Sequence, residues 1–90
     1  MEYKIGQFVY SKSGHDKGDL LMVVAVEGDY VLLADGKRRK LAKPKRKKII
    51  HLQPTHCVNA MIADKIEKKA YLLDADIAKA IQAQQGHEEV

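Results

Sequence analysis

The chain has 90 residues, of which 46% are hydrophobic and 31% charged, with a formal net charge of +4. That balance suits a single folded domain and excludes a disordered chain. One cysteine excludes an internal disulfide, no run nears the roughly 18 apolar residues of a membrane span, and the start Met1-Glu2-Tyr3-Lys4-Ile5-Gly6 lacks the charged and apolar regions of a secretory signal.

The first half is punctuated by glycines that separate apolar runs of strand length. Gly6-Gln7-Phe8-Val9-Tyr10-Ser11 leads to a turn at Ser13-Gly14-His15-Asp16-Lys17-Gly18, and Leu20-Leu21-Met22-Val23-Val24-Ala25-Val26 follows. Gly28-Asp29 reads as a two-residue hairpin turn before Tyr30-Val31-Leu32-Leu33-Ala34, and Asp35-Gly36 is a stronger type I′ signal, because both central residues must reach positive φ. A strand over 37–41, a loop over 43–48 and a last strand at Ile49-Ile50-His51-Leu52 complete five short strands. So many strands in so few residues predict a small, strongly bent barrel, since an open sheet would leave its edges unprotected.

After Gln53-Pro54-Thr55 the period changes. Val58, Met61, Ile62, Ile66, Ala70, Leu73, Ile77, Ala80 and Ile81 recur at steps of three and four, which is helical. Thr55 is a candidate N-cap, Asp74 a second one, and Gly86 a stop. Two helices, about 57–69 and 75–85, are preferred over one long helix, and His87-Glu88-Glu89-Val90 should fray. The expected organisation is a barrel over 1–54 and a helical extension over 55–90.

Charge is unevenly placed. Residues 1–54 carry 12 basic and 6 acidic side chains, whereas residues 55–90 carry 4 and 6. Nine of the sixteen Lys and Arg residues fall in Lys37–Lys48, KRRKLAKPKRKK, which contains no acid. Such a block is expected to lie in water or against an anion, because burial would strip each cation of hydration with no partner in the run to replace it. It could be simply a solvated face. Such faces usually mix both signs, however, so phosphate binding is the favoured reading for Lys37, Arg38, Arg39, Lys40, Lys43, Lys45, Arg46, Lys47 and Lys48. Leu41 is expected to point inward, splitting the charges into a strand part and a loop part.

Lys12, His15 and Lys17 flank the first turn and are candidates for the same surface, the alternative being a plain polar hairpin loop. His51 reads as a hydrogen-bonding residue at the basic rim. His51, His56 and Cys57 match no zinc spacing, and no nucleophile, paired-carboxylate or phosphate-cradle constellation is present. No cofactor, metal or enzymatic activity is expected.

Residues 6–26, with Gly14, Gly18, Val23 and Val26, resemble the KOW motif of ribosomal proteins and transcription elongation factors. With the basic stretch and its trailing Ile49-Ile50-His51-Leu52, residues 3–54 are similar to bacterial KOW-domain relatives of archaeal and eukaryotic large-subunit ribosomal proteins. One departure is Leu21, where such motifs often carry another glycine. The resemblance implies an SH3-like barrel that binds structured RNA, typically ribosomal RNA, in a mainly β fold followed by one or two helices. Aligned with the motif, Val9 and Ser11 face the core. Phe8 and Tyr10 then point outward, either to stack on bases or, as preferred, to cover the helices.

The expectation is therefore a cytoplasmic, monomeric RNA-binding protein associated with the ribosome or its assembly, with no membrane contact. Contact of about five of the nine cations with phosphates would give a slope of log affinity on log salt near −3.5 to −4.5. Reversing charge at Arg38, Arg39, Arg46 and Lys47 is expected to leave the fold intact. The rival is a protein-interaction module working through the barrel or the C-terminal helices.

Overall fold

Side chains alternate across a strand, and in this chain both alternating sets are apolar, so each face of the sheet needs a cover. A computed structural model describes residues 2–88; Met1, Glu89 and Val90, and with the last two the expected fraying there, lie outside them. Five strands, β1 (Gln7–Ser11), β2 (Leu20–Glu27), β3 (Tyr30–Ala34), β4 (Lys45–Lys48) and β5 (Leu52–Val58), precede two helices, α1 (Ala60–Glu67) and α2 (Asp74–Glu88). The strands form one antiparallel sheet in the order β4-β3-β2-β1-β5. The fold is mainly β, with both helices at the C-terminal end.

One face carries Val9, Leu21, Val23, Val31, Leu33 and Leu52, which form a buried cluster. Neither α-helix contributes to it; Tyr3 and Ile49 pack against it, and the sheet curls over it. The side chain of Lys47 on β4 reaches Ser11 on β1, with Nζ 2.6 Å from Oγ. Flat strands in those positions would stand three spacings, about 14 Å, apart. Register breaks between Val23 and Ala25 and in the pairing of β1 with β5 supply local bending.

The opposite face carries Phe8, Leu20, Met22 and Ala34, and these share one buried cluster with Ile62 of α1 and Ile77 and Ile81 of α2. Tyr10 packs against the same cluster. Phe8 and Tyr10 therefore meet the helices, the preferred of the two expectations. Each fully buried Ile or Phe contributes roughly 1.5–3 kcal/mol, so the helices brace the sheet as its second layer.

Two glycines let the helices approach. Gly36 (φ +79) lies so close to α2 that a Cβ there would overlap the Asp74 carbonyl oxygen and stand 2.8 Å from the Ala78 nitrogen. Gly6 (φ +88) does the same for α1, where a Cβ would stand 2.8 Å from the Asn59 carbonyl oxygen. Both need a positive φ and an absent side chain.

Several element boundaries differ from expectation. Thr55 does not cap a helix, because β5 continues to Val58. Its hydroxyl instead donates to the Phe8 carbonyl (2.7 Å) and accepts from Cys57 N–H (3.1 Å), satisfying the irregular stretch where β5 slips against β1. Asn59 caps α1, its Oδ1 accepting from Ile62 N–H at 3.0 Å. Asp74 is the first residue of α2, and it is Asp76 that reaches back to Leu73 N–H (3.0 Å). The helix passes through Gly86, an exposed position with nothing packed against it. Ile49–His51 is one turn of 3₁₀ helix rather than a strand.

Gly36→Ala is expected to lower stability by at least about 2 kcal/mol, a fall in Tm of roughly 8 °C or more, because the methyl group must displace backbone of α2. Thermal denaturation followed by circular dichroism checks this, and an unchanged Tm contradicts it.

Candidate nucleic-acid interface

Leu41 is the one large apolar side chain in Lys37–Lys48. A two-residue turn at Asp35-Gly36 would place it opposite Tyr30, at the end of β3 away from Ala34. Instead, residues 35–44 form a wide loop, Leu41 packs against the cluster shared with the helices, and Lys45–Lys48 forms the strand beside β3. Burying Leu41 thus overrides the hairpin signal, and the expected strand over 37–41 is absent.

The loop is tied at several points. The Asp35 carboxylate accepts from the backbone N–H groups of Lys37 (2.9 Å) and Arg39 (2.8 Å). Arg39 O accepts from Asp35 and Gly36 N–H. Leu41 N–H donates to the Asp74 carboxylate at 2.7 Å, binding the loop to the start of α2. On the other side, Arg39 donates through Nε (3.3 Å) and Nη2 (2.9 Å) to the two oxygens of Asp16.

Asp16 is only 2% exposed. Burial pushes its carboxyl up, but the hydrogen bonds and charge of Arg39, helped by Lys47 and Arg38, outweigh this and hold it below its ordinary value. The hydrogen bond to Asp16 likewise raises Arg39 above the usual arginine value.

Lys47 is buried, against the expectation that the whole basic block lies in water. It pairs with Val31 and so faces the interior of the curled sheet. There Nζ donates to Ser11 Oγ at 2.6 Å and to the Ser13 carbonyl at 2.7 Å. Lys47 and Arg39 are therefore structural cations. Reversing their charge would leave Asp16 and the Ser13 carbonyl facing a buried anion, so those substitutions cannot leave the fold intact.

The remaining candidates gather at one end of the molecule, except Lys48, which pairs with Tyr30 at the far end of β4. Arg38, Arg39, Lys40, Lys43, Lys45 and Arg46 line an open groove of about 610 Å³. The first turn joins it through the Arg39–Asp16 contact and an Arg38–Asp19 ion pair of 3.6 Å. Lys12 N–H donates to the His51 carbonyl at 2.8 Å, which brings His51 to the same turn. Lys12, His15, Lys17, Lys37, Lys40, Lys43, Lys45 and His51 are exposed, and Lys48 is half-buried. Among the described residues, the seven lysines at 12, 17, 37, 40, 43, 45 and 48 have no ion-pair partner.

Three contributors were missed by sequence reasoning. Ser11 and Asp16 anchor Lys47 and Arg39, and Tyr30 lies 3.8 Å beneath the Arg46 guanidinium, which also meets Glu27 at 3.3 Å. Asp16, an acid between Gly14 and Gly18 with His15 and Lys17 on either side, carried the one available signal. Comparison of the sequence with family models and with curated proteins finds no match. Among the described residues, no three His, Cys, Asp or Glu side chains are grouped to hold a metal, and no helix is long and apolar enough to cross a membrane.

The Asp16–Arg39 pair predicts a pH dependence. The folded pKa of Asp16 lies below its unfolded value, so its stabilisation is fully present above about pH 4 and is lost as pH falls through the folded value. Asp16→Asn should be clearly less stable than wild type at pH 6, with the gap closing below about pH 4; a constant gap in denaturant titrations contradicts the assignment.

Proposed function

We propose that this chain is a non-catalytic RNA-binding protein of the KOW type, a cytoplasmic monomer whose curled sheet acts as an SH3-like barrel. Its ligand is structured RNA, ribosomal RNA first among them, in association with the ribosome or its assembly. The observation that carries the reading is a set of six unpartnered lysines around one end, Lys12 and Lys17 at the first turn, Lys37, Lys40 and Lys43 on a loop tied to both α2 and that turn, and Lys45 where the loop enters β4. A polyanion is the complement of such a surface, and an ordered loop binds it with less loss of conformational freedom than a tail does.

The strand order, the glycines flanking the first turn and the resemblance over residues 3–54 support the KOW reading. Leu21, the departure from the motif, is fully buried in the interior cluster. The backbone at that point therefore serves the core rather than the ligand. RNA duplexes are read mostly through shape, backbone and 2′-hydroxyls, which suits lysines with no fixed hydrogen-bonding partners.

A second reading, a protein-docking module, is favoured by one observation. Met61 is 67% exposed and lines an open groove between α1 and α2 with Ile62, Lys65, Lys79 and Ala80. Survival of a ribosomal association after nuclease treatment would support it.

The triple variant Lys40→Glu, Lys43→Glu and Lys45→Glu is expected to keep the wild-type Tm, to bind a structured RNA at least tenfold more weakly, and to flatten the salt slope by about 2–3. Binding titrations at several salt concentrations test this. Unchanged affinity at moderate salt would overturn the reading.

A further inference from the structure

Tyr71 is 81% exposed, more than any other large hydrophobic side chain among the described residues. It lies in the connection between the helices, directly after Lys68-Lys69-Ala70. That connection is ordered by its own backbone. Lys69 N–H donates to the Ile66 carbonyl (3.1 Å) and Ala70 N–H to the Lys65 carbonyl (2.9 Å), closing α1 in a Schellman turn. The turn requires a left-handed residue, and Lys69 fills it with φ +55, the one positive φ outside glycine among the described residues. Glycine or asparagine would be cheaper there.

After the turn the chain returns to the core. Leu72 packs against the cluster shared by sheet and helices, and the Asp74 carboxylate accepts from Leu41 N–H of the basic loop at 2.7 Å. Tyr71 is three residues from Asp74, so their Cα atoms are at most about 11 Å apart. An exposed aromatic ring, two residues after the exposed Lys69, thus belongs to a segment fixed at both ends, with its Cα within about 11 Å of the residue that holds the basic loop.

We propose that Tyr71 and Lys69 form a second part of the RNA site, in which the tyrosine ring stacks on an unpaired base and the lysine meets that nucleotide's phosphate. This rests on the RNA-binding reading above and narrows its ligand. The preferred RNA is a duplex carrying an unpaired nucleotide, because the loop lysines follow a paired backbone while a ring can stack only on a base outside the pairing. The left-handed turn at Lys69 ends α1 two residues before the ring, and local strain of this kind concentrates at functional sites.

The test uses the full chain and two RNAs, a continuous hairpin duplex and the same hairpin with one unpaired nucleotide. Wild type should prefer the second. Tyr71→Ala should bind the bulged RNA about 5- to 150-fold more weakly while binding the continuous duplex as wild type does, and Tyr71→Phe should behave as wild type on both. Lys69→Gly should raise Tm, through relief of the positive φ, and weaken binding of the bulged RNA. Tyr71→Ala binding the bulged RNA as tightly as wild type, or losing affinity equally for both RNAs, overturns the inference. If wild type binds both RNAs equally and the triple lysine variant abolishes this, the stacking inference falls while the RNA-binding reading stands; if wild type binds neither RNA, both fall.

Discussion

Lys47 sets the register on which the cationic end depends. A strand of four consecutive cations must turn some of them toward the interior, since side chains alternate whatever their chemistry. Opposite Val31, the inward residue is Lys47, and its ammonium finds the Ser11 hydroxyl and the Ser13 carbonyl within hydrogen-bonding distance. A slip of one residue would turn Arg46 or Lys48 inward and Lys47 outward. Arg46 would then lose both its stacking on Tyr30 and its ion pair with Glu27. The buried lysine also spans the curl from β4 to β1, so the same contact that fixes register draws the first turn toward the basic loop.

With that register set, the basic loop has little freedom left. It is tied internally by the Asp35 carboxylate, to α2 by Leu41 and Asp74, and to the first turn by Arg39 and Asp16. Gly36 admits α2 against the loop's first residues, which makes the helices part of the site's support. A disordered run of the same composition would carry the same charge but would lose much more entropy on binding.

The elements that were legible in the sequence are those whose apolar pattern decides the outcome locally. Alternation across Phe8, Val9, Leu21, Met22, Val31 and Leu33 marked β1, β2 and β3, and the steps from Ile62 to Ile81 marked two helices. β4 was not legible because KRKK has no apolar alternation, and its pairing depends on acceptors some thirty-five residues away in Ser11 and Ser13. Thr55 misled for a related reason. A Pro-Thr pair suits a helix start, but here Thr55 serves the Phe8 carbonyl, a long-range partner with no local signature. At the site, the sequence marked the charged block but not its internal division, since which cations are consumed depends on where Asp16, Asp19 and Glu27 fold.

That division follows residue type. All three arginines of the chain, Arg38, Arg39 and Arg46, meet acids, and Arg39 does so through two donors on one buried carboxylate. The lysines of the same region meet none among the described residues, and buried Lys47 is held by the Ser11 hydroxyl and the Ser13 carbonyl instead. The chemistry of the two cations accounts for this. A guanidinium is planar and rigid and pins a carboxylate in a fixed orientation, whereas an ammonium on a flexible stem is a mobile point charge. Arginine therefore builds the loop and lysine covers it. The two exposed pairs, Arg38 with Asp19 and Arg46 with Glu27, lie between these roles, because ion pairs in water are worth little and exchange readily for another anion. Arg39 cannot exchange in that way, since leaving Asp16 would strand a buried carboxylate. The cationic end thus has a fixed centre at Asp16, Arg39 and Lys47 and an adaptable periphery, and a ligand can reorganise the second without disturbing the first.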